Sequence, residues 1–527
     1  MRFNQLSFSV LLLIIKSEFA CSTSSFSIID EAGEVVDDGT GRRSDVSLSS
    51  SSETSLLCPP GYDSTLQDCN VEKQKLELEL SRRHIIDDAV LPASLIEEFE
   101  SVIFSSERKT NNGNELYSFF HSFTSSEEFQ RHYWQQYPLV LSNDVFPDPY
   151  FFTLETDVHA AFQKNNDEFF APQQASLQHF PRTWMPKQQK EGTISWGEFQ
   201  KRLKKQTVHY DEAGSQFFKL GALNRLINHA IGLPAVLNMY ISPMGLSTST
   251  PIHTDAQDIF IIPMMEASGI HKCSSKRWRV YAPPTTIWNK DPYNRGKAGD
   301  VLNPDDLDLL VDVILNPGEV LYIPAGFPHA TDTTLSCTST TDTDENDKHH
   351  SLHLTVGIES HFWALTYAHL RWCLLSRYQL DISNLTVESP GHWKSMNSLP
   401  LGVFYSSSST EEQIDFMENE LHRRMVELEP KRWENGNEVF PKRSQIRSTI
   451  AYYLDVHIVT IMALYDEMFH ITKEMSLQEL QTRQMRCKQL KSYIMKEFWT
   501  FAKDQYMLQY YNPNSLDKNK QPKKESK

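Results

Sequence analysis

The middle of the chain alternates short apolar segments with proline and glycine. Between Val236 and Thr355 the apolar or alternating runs are only a few residues long. Several short strands at this spacing predict a β-sandwich or a jelly-roll barrel. A polar insert between Thr331 and His350 predicts a solvated loop. The predicted strands are Leu237–Ser242, Ile259–Met264, Trp278–Tyr281, Ile314–Leu315, Val320–Ile323 and Leu352–Ile358.

Helical periodicity replaces this pattern on both sides of the β region. Ahead of it, Glu127–Tyr137 predicts a helix that leads into a short strand, and Thr193–Leu203 predicts a helix capped by Ser195. The segment His361–Tyr378 is apolar enough for a core or for a dimer interface, and the sequence leaves both open. The helices predicted after it are Glu411–Leu428, Ile450–Phe469 and Leu477–Lys503.

The two ends of the chain differ in composition from its middle. Residues 1–22 have the layout of a secretory signal, with a misassigned start or a short buried helix as the alternative. The Ser-, Asp- and Glu-rich residues 23–114 predict a largely disordered leader, in which Cys58 and Cys69 could form a disulfide in an oxidising compartment. The remaining predicted units are a β domain at 115–360, a helical dimerisation or partner-binding region at 361–517 and a basic tail at 518–527.

The charge balance of the 527-residue chain limits its partners. Against 68 Asp and Glu there are only 51 Lys and Arg, which gives a net charge of −17. Binding to phosphate backbones depends on Lys and Arg, so we expect no direct nucleic-acid binding and favour a basic protein partner. No apolar stretch reaches the ~20 residues that a transmembrane helix needs, so no membrane span is predicted.

Two candidate metal ligands stand close together at the start of the β region. Positions i and i+2 of a strand project to the same face, so His253 and Asp255 can both point into a barrel and hold one ion. A His-x-Asp pair is common by chance. Its ordinary explanation is a histidine hydrogen-bonded to a neighbouring carboxylate.

A second sequence segment supports a metal site. Pro317 and Gly318 form a turn before the strand Val320–Ile323, and Pro324 and Gly326 then bend the chain. His329 stands at the end of that element and would face the first two ligands. Two imidazoles and one carboxylate leave coordination positions open, as in non-haem Fe(II) oxygenases, whereas a structural zinc site would need a fourth ligand.

Lys276 is the next candidate. Strand periodicity sends Lys276, Trp278 and Val280 to one face and the intervening arginines to the other. If Trp278 and Val280 lie in the core, Lys276 lies inside with them, which is costly unless it meets an anion such as the distal carboxylate of 2-oxoglutarate. The opposite register would leave Lys276 solvated.

Several motifs in this order resemble a JmjC-type 2-oxoglutarate oxygenase, over roughly Leu116 to Tyr378. The likeness is closest to the ribosomal oxygenase branch, whose members hydroxylate histidines of ribosomal proteins and have been described as histone lysine demethylases. The resemblance implies an α+β fold with a double-stranded β-helix (cupin, jelly-roll) core, N-terminal helical decoration and a C-terminal helical region. The motifs are Tyr133-Trp134-x-x-x-Pro138, Asn238-x-Tyr240, His253-x-Asp255, Lys276-x-Trp278-Arg279-Val280-Tyr281, Pro324-x-Gly326-Phe327-x-His329 and Ser351-Leu352-His353-Leu354-Thr355.

The resemblance also implies roles for individual residues. It implies a metal site for Fe(2+), an anchor for 2-oxoglutarate, O2 as the second cosubstrate and a set of pocket-lining side chains. The implied ligands are His253, Asp255 and His329, the implied anchor is Lys276, and the implied lining residues are Asn238, Tyr240 and His353.

The chain also departs from the family pattern. The stretch from Pro263 to Lys276 is longer than the family's tight turn, and Gly357 stands where the branch usually has a serine that contacts the cosubstrate. After Tyr378 the pattern indicates helices but no convincing winged-helix domain.

The sequence thus predicts an Fe(II)- and 2-oxoglutarate-dependent dioxygenase that hydroxylates a protein side chain, such as a histidine of a ribosomal or other basic protein. Histone lysine demethylation would use the same metal site and stays open. A catalytically inactive cupin-like interaction scaffold is the alternative of another class. The family implies the nucleus or nucleolus, whereas residues 1–22 favour entry into the secretory pathway or an organelle.

Overall fold

The fold is known from a computed structural model. It describes residues 112–142, 145–177, 184–186, 192–265, 274–283, 302–334, 350–363, 365–378, 399–402, 410–428, 440–454 and 459–491. The predicted signal segment, nearly all of the predicted leader with Cys58 and Cys69, and the basic tail lie outside these ranges.

Two antiparallel sheets form the centre of the molecule. One sheet has eight strands in the order β1-β12-β9-β14-β7-β6-β3-β4, the other has four in the order β11-β10-β13-β8, and β2 pairs with β5 apart from them. The strands are β1 Leu139–Leu141, β2 Glu168–Phe170, β3 Gln173–Leu177, β4 Trp184–Pro186, β5 Thr193–Ser195, β6 Val208–Tyr210, β7 Ala235–Pro243, β8 Thr250–His253, β9 Asp258–Met264, β10 Lys276–Tyr281, β11 Leu309–Leu315, β12 Val320–Ile323, β13 His329–Asp332 and β14 His350–Ile358. All six predicted strands are therefore confirmed, with wider bounds for some.

Helices lie before, between and after the strands that form the two large sheets. Short π-helical turns at Phe129–Tyr133 and Leu154–His159 and short 3-10 turns at Ala213–Ser215 and Pro304–Asp306 connect the longer elements. The α-helices are α1 Asn112–Ser125, α2 Ala160–Lys164, α3 Trp196–Leu203, α4 Phe218–Ile231, α5 Tyr367–Arg377, α6 Thr410–Leu428, α7 Arg443–Tyr452, α8 Val459–Phe469 and α9 at residues 477–491.

The two large sheets face each other across a small apolar core. Ile259 and Ile261 of β9 point toward the four-stranded sheet, where Trp278 and Val280 of β10 meet them. This alternation is that of a strand whose inner face is buried. The core also contains Val311, Leu315, Leu321, Ile323 and Phe327. A jelly-roll arrangement of this kind agrees with the predicted α+β class.

A second and larger core covers the outer face of the eight-stranded sheet. Leu237, Met239 and Ile241 of β7 point into it, and α3 and α4 pack against β7. It extends from Leu116 in α1 to Cys487 in α9 without interruption. The C-terminal helices therefore share their core with the barrel.

The N-terminal helix differs from the prediction. The helix expected over Glu127–Tyr137 is wrong in its second half, because the π-helical turn ends at Tyr133 and Gln135 adopts a left-handed φ of 59°. The sequence analysis missed α1, although its Phe120 and Phe123 lie three residues apart and are both fully buried. The strand expected to follow is confirmed as β1.

The helices after the barrel agree with the prediction in part. Glu411–Leu428 is confirmed as α6. His361–Tyr378 is helical only from Tyr367, and Ile450–Phe469 falls on α7, described to Tyr452, and α8, described from Val459. Trp363, at 1% exposure, donates from Nε1 to the Tyr465 hydroxyl at 2.7 Å, so this residue packs in the chain's own core. Residues 477–491 confirm the start of the last predicted helix. No helix among the described residues is long and apolar enough to cross a bilayer.

Gly221 allows α4 to contact the C-terminal helices closely. A Cβ at this position would lie 2.7 Å from the Phe469 carbonyl oxygen and 2.8 Å from the Gly214 carbonyl oxygen. We expect Gly221→Ala to lower the free energy of unfolding by ~1–3 kcal/mol, since two backbone segments must move. Thermal denaturation measures the change.

Gly197 of α3 provides the matched control. Its Cβ would be 3.9 Å from the Ser195 hydroxyl, which is ordinary contact, so Gly197→Ala should be neutral or stabilise by up to about 1 kcal/mol. Equal losses in the two variants would contradict the close-contact explanation.

Candidate functional site

The predicted ligands converge at one end of the four-stranded sheet. Asp255 Oδ1 lies 3.7 Å from His253 Nε2, and its Oδ2 lies 3.5 Å from His329 Nε2. One ligand atom from each of the three residues falls within 4.8 Å of the others. The site is mostly buried, with the Asp255 side chain 23% exposed. Three electron-pair donors that face one another inside a protein fit a shared cation.

Backbone hydrogen bonds orient both imidazoles. His253 Nδ1 lies 2.8 Å from the Pro251 carbonyl oxygen, and His329 Nδ1 lies 3.0 Å from the Phe327 carbonyl oxygen. A carbonyl can only accept, so the ring proton is placed on Nδ1 and the Nε2 lone pair faces the third residue. This pattern is the usual outer-shell support of a metal-binding histidine.

Strand pairing and one turn bring the three residues together. His253 ends β8 and lies directly opposite His329, the first residue of β13. The Gly326 amide donates to the Asp255 carbonyl oxygen at 2.8 Å, which links the loop after β8 to the turn before β13. Gly326 has a φ of 80°, a conformation that other residues rarely adopt.

A buried carboxylate supports the same turn. Asp258 Oδ1 accepts from the Ala325 amide at 3.1 Å and from the Tyr322 hydroxyl at 3.0 Å, while Oδ2 accepts from Gln135 Nε2 at 2.7 Å. Burial raises the pKa of Asp258 to about 6, and these hydrogen bonds limit the rise. Gln135, which has a left-handed backbone conformation, belongs to this network, since its backbone N–H donates to the Tyr322 hydroxyl at 2.8 Å. The sequence analysis did not identify Asp258, whose position three residues after Asp255 was the available signal.

Lys276 lies inside the barrel, as the periodicity predicts. It is 1% exposed, and its Nζ donates to Ser242 Oγ on the opposite sheet at 3.2 Å. Among the described residues no carboxylate lies within ion-pair distance of Nζ, and burial lowers the pKa of Lys276 to about 7 although Asp332 opposes this. Arg277 lies on the outer face, where it binds Asp312 through two hydrogen bonds.

Three residues near the Lys276 ammonium carry polar atoms without a hydrogen-bond partner. Ser351 Oγ, His353 Nδ1 and Trp278 Nε1 are buried and have no hydrogen-bond partner in the described part of the chain. Ser351 pairs with Ser242 in the β14–β7 ladder, and Trp278 packs edge-on against His353 at 5.3 Å between ring centroids. Buried polar atoms are rarely left unpaired, so these three atoms are candidates to bind a polar ligand.

The remaining predicted lining residues lie on the same inner face. Tyr240 stacks on His353 at 4.9 Å with an interplanar angle of 1°, and on His209 at 5.2 Å. Asn238 Oδ1 accepts from the Glu212 amide at 2.9 Å, so part of its side chain holds the neighbouring loop. His209 completes the stack and was not predicted, because β6 carries only the short run Val208–Tyr210.

The Gln257 side chain occupies the space that a side chain at position 357 would need. A Cβ on Gly357 would collide with Gln257 Oε1 and would lie 2.7 Å from Gln257 Cδ. The Gln257 side chain thus fills the position where the predicted family usually has a serine. Its Nε2 donates to Glu359 Oε1 at 3.1 Å.

Comparison with known proteins agrees with this geometry. Residues 221–361 match the model of the JmjC domain. The chain is 30% identical over 122 residues to the "Bifunctional lysine-specific demethylase and histidyl-hydroxylase NO66" of Drosophila willistoni, which covers 23% of this chain and 13% of that protein. It is 23% identical over 246 residues to "Ribosomal oxygenase 1" of Gallus gallus, which covers 46% of this chain and 36% of that protein.

Solved structures provide a further comparison. The Escherichia coli ribosomal oxygenase YcfD in complex with cobalt and 2-oxoglutarate has 17% sequence identity and a TM-score of 0.26, over 56% of this chain and 64% of that one. The matched segments span less than two thirds of each relative's length. The JmjC match and the two sequence relatives confirm the resemblance to the JmjC ribosomal oxygenases.

The environment of His353 leads to a prediction. Burial, and secondly the charge of Lys276, hold the pKa of His353 well below its ordinary value. We therefore expect the His353 ring to be neutral at pH 6.5, where an ordinary histidine is half protonated, in histidine-resolved NMR spectra, with His353→Gln used for assignment. In Lys276→Met the His353 pKa should rise, because the neighbouring positive charge is removed. Titration of His353 near its ordinary pKa would contradict the buried placement.

Proposed function

We propose that this chain is an Fe(II)- and 2-oxoglutarate-dependent oxygenase that hydroxylates a protein side chain. The observation that carries the proposal is the buried set of His253, Asp255 and His329, with both Nε2 atoms facing the carboxylate. Two imidazoles and one carboxylate on one side of an ion leave positions for other ligands, which is the donor set of non-haem Fe(II) oxygenases. When bound there, the metal with 2-oxoglutarate and O2 supplies the oxidising chemistry.

The residues of the chain itself bind and orient. Lys276 would hold the distal carboxylate of 2-oxoglutarate, with Ser351 and His353 as polar neighbours. The ammonium serves binding and positioning and takes no part in proton transfer. The apolar core beyond Trp278 closes the barrel on the other side and excludes water from the pocket.

An exposed acidic side chain near the pocket supports a basic protein substrate. Asp211, 48% exposed, lies 3.2 Å from His209 at the end of the aromatic stack. Together with the net charge of −17, this carboxylate favours a positively charged partner. The names of the relatives suggest histidine hydroxylation or lysine demethylation. Mass spectrometry of a treated basic peptide would distinguish a gain of one oxygen from the loss of a methyl group.

Metal and cosubstrate binding is the first test. Anaerobic titration of the full chain with Fe(II) and 2-oxoglutarate should give a saturable charge-transfer band in the visible. In His253→Ala the band should be absent while the circular dichroism spectrum is unchanged, because one of three ligands is gone. His422→Ala, which changes an exposed histidine of α6, should keep the band. A chain without any band would be a scaffold.

Lys276 should control the affinity for 2-oxoglutarate. We expect Lys276→Met to raise the Kd for 2-oxoglutarate roughly 10–100-fold, because a charge-assisted hydrogen bond worth ~1.5–3 kcal/mol is lost. Arg277→Met is the matched control, since it changes the adjacent residue on the outer face and should leave this Kd unchanged. Equal affinities in Lys276→Met and the wild type would remove the anchor assignment.

The same lysine predicts a pH dependence. Without ligand the pKa of Lys276 is about 7, and a bound carboxylate must raise it. Binding above pH 7 therefore requires proton uptake, so the Kd for 2-oxoglutarate should rise between pH 7 and pH 8.5, by up to about tenfold per pH unit. Calorimetry in the presence of Co²⁺ measures this dependence. Lys276→Met should flatten it, and a flat profile in the wild type would contradict the assignment.

A further inference from the structure

The last described helix ends in a buried ionic contact with the barrel. Lys491 of α9 is 9% exposed, and its Nζ donates to Glu212 Oε1 at 2.9 Å and to Glu359 Oε2 at 3.2 Å. Its ammonium also lies 4.6 Å from the centre of the Phe362 ring and 5.7 Å from that of Tyr465. The lysine thus joins the turn after β6 to the end of β14.

Charge complementarity holds this contact together. Burial alone would lower the pKa of Lys491, but the carboxylates of Glu359 and Glu212 outweigh it and hold that pKa above its ordinary value. Burial raises the pKa of Glu359, which Lys491 partly offsets. Removing one partner of a buried pair leaves an uncompensated charge, so the contact depends on both sides.

The other carboxylate oxygen of Glu359 contacts Gln257, which lies next to the metal motif in sequence. Glu359 Oε1 accepts from Gln257 Nε2 at 3.1 Å, and Gln257 packs against Gly357, which has no side chain in the way. Gln257 is only two residues from Asp255. The loop that carries Asp255 is therefore held on one side by the Gly326 amide and on the other by Gln257.

Glu212, the other carboxylate that Lys491 contacts, is hydrogen-bonded to a residue that lines the pocket. Glu212 adopts a left-handed φ of 49°, and Asn238 Oδ1 accepts from its amide at 2.9 Å. Asn238 lies on the inner face of β7, two residues before Tyr240. Lys491 therefore contacts two carboxylates, one of which contacts Gln257 near Asp255 and the other Asn238 of β7.

We propose that Lys491 is a positioning residue that acts through Glu359 and Gln257 to fix the Asp255 loop, so that α9 sets the metal affinity of the barrel. This inference rests on the proposed function, because it assigns a metal to the three-residue site. The functional consequence is that a residue 236 positions away from Asp255 in sequence (491 − 255 = 236) tunes the same site.

Metal titration of single and double variants tests the coupling. We expect Lys491→Met and Gln257→Ala each to raise the Kd for Co²⁺ by at least about threefold, less than the roughly 10–100-fold that the loss of a direct contact to a metal ligand causes, because neither residue touches a ligand side chain. If Lys491 acts through Gln257, the Kd of the double variant for Co²⁺ should be no higher than that of the single variant with the higher Kd. Lys491→Arg, which keeps the charge, should restore at least part of the affinity.

Arg225→Met is the matched control. Arg225 binds Asp466 of α8 at 2.7 Å, so it also joins the C-terminal helices to the fold, but no contact leads from it to Gln257 among the interactions described above. This variant should lower the thermal midpoint and leave the Kd for Co²⁺ within about twofold. An unchanged Kd in Lys491→Met, or fully additive effects in the double variant, would overturn the proposal.

Hydrogen exchange separates this inference from the proposed function. The Gly326 amide donates to the Asp255 carbonyl, so its exchange rate in the metal-free full chain reports on the loop. It should increase in Lys491→Met and stay unchanged in Arg225→Met. If the wild type bound no Co²⁺, the proposed function would fail, and an unchanged exchange rate in Lys491→Met would separately remove the positioning role.

Discussion

The pairing of β13 with β8 is the constraint on which the rest of the site depends. It places His329 opposite His253, and neither strand alone could do so. All other supports act on the ends of these two strands. The Gly326 amide fixes the loop after β8, and Asp258 holds the turn before β13. These contacts are made by backbone or fully buried groups, so the fold itself positions the three candidate metal-binding side chains.

Two cores on opposite faces of one sheet explain how the barrel keeps a polar pocket. The larger core on the outer face fixes the eight-stranded sheet against helices from both ends of the chain. The smaller inner core fills only part of the space between the sheets. Lys276, Ser242 and Ser351 occupy the inner face beyond it, where desolvation is costly. The packing that stabilises the fold is thus largely separate from the residues that would bind ligands.

Local periodicity predicted the strands and the inward direction of Lys276, because an alternating pattern of period two determines the buried face. It also predicted Ser195 as a helix cap, which the structure confirms with a bond from the Glu198 amide at 3.3 Å. The site residues that sequence reasoning missed act through tertiary contacts. His209 and Lys491 have no local signal, and Asp258 has only its position three residues after Asp255, since the partners of Asp258 and Lys491 lie far away in the chain. The helix expected over Glu127–Tyr137 fails for the same reason, because Tyr322 and Asp258 hold Gln135 outside the helical conformation.

The uninterrupted outer core bears on how this protein can be divided. A fragment that ended near residue 360 would contain every candidate ligand and the whole inner core, yet it would lack α8 and so expose the face of α4 around Gly221 on which α8 packs. It would also leave Glu359 without its cation. An excised barrel would therefore be prone to aggregation and poorly suited to studies of ligand binding. The smallest unit that can be expected to behave like the whole extends at least through α9.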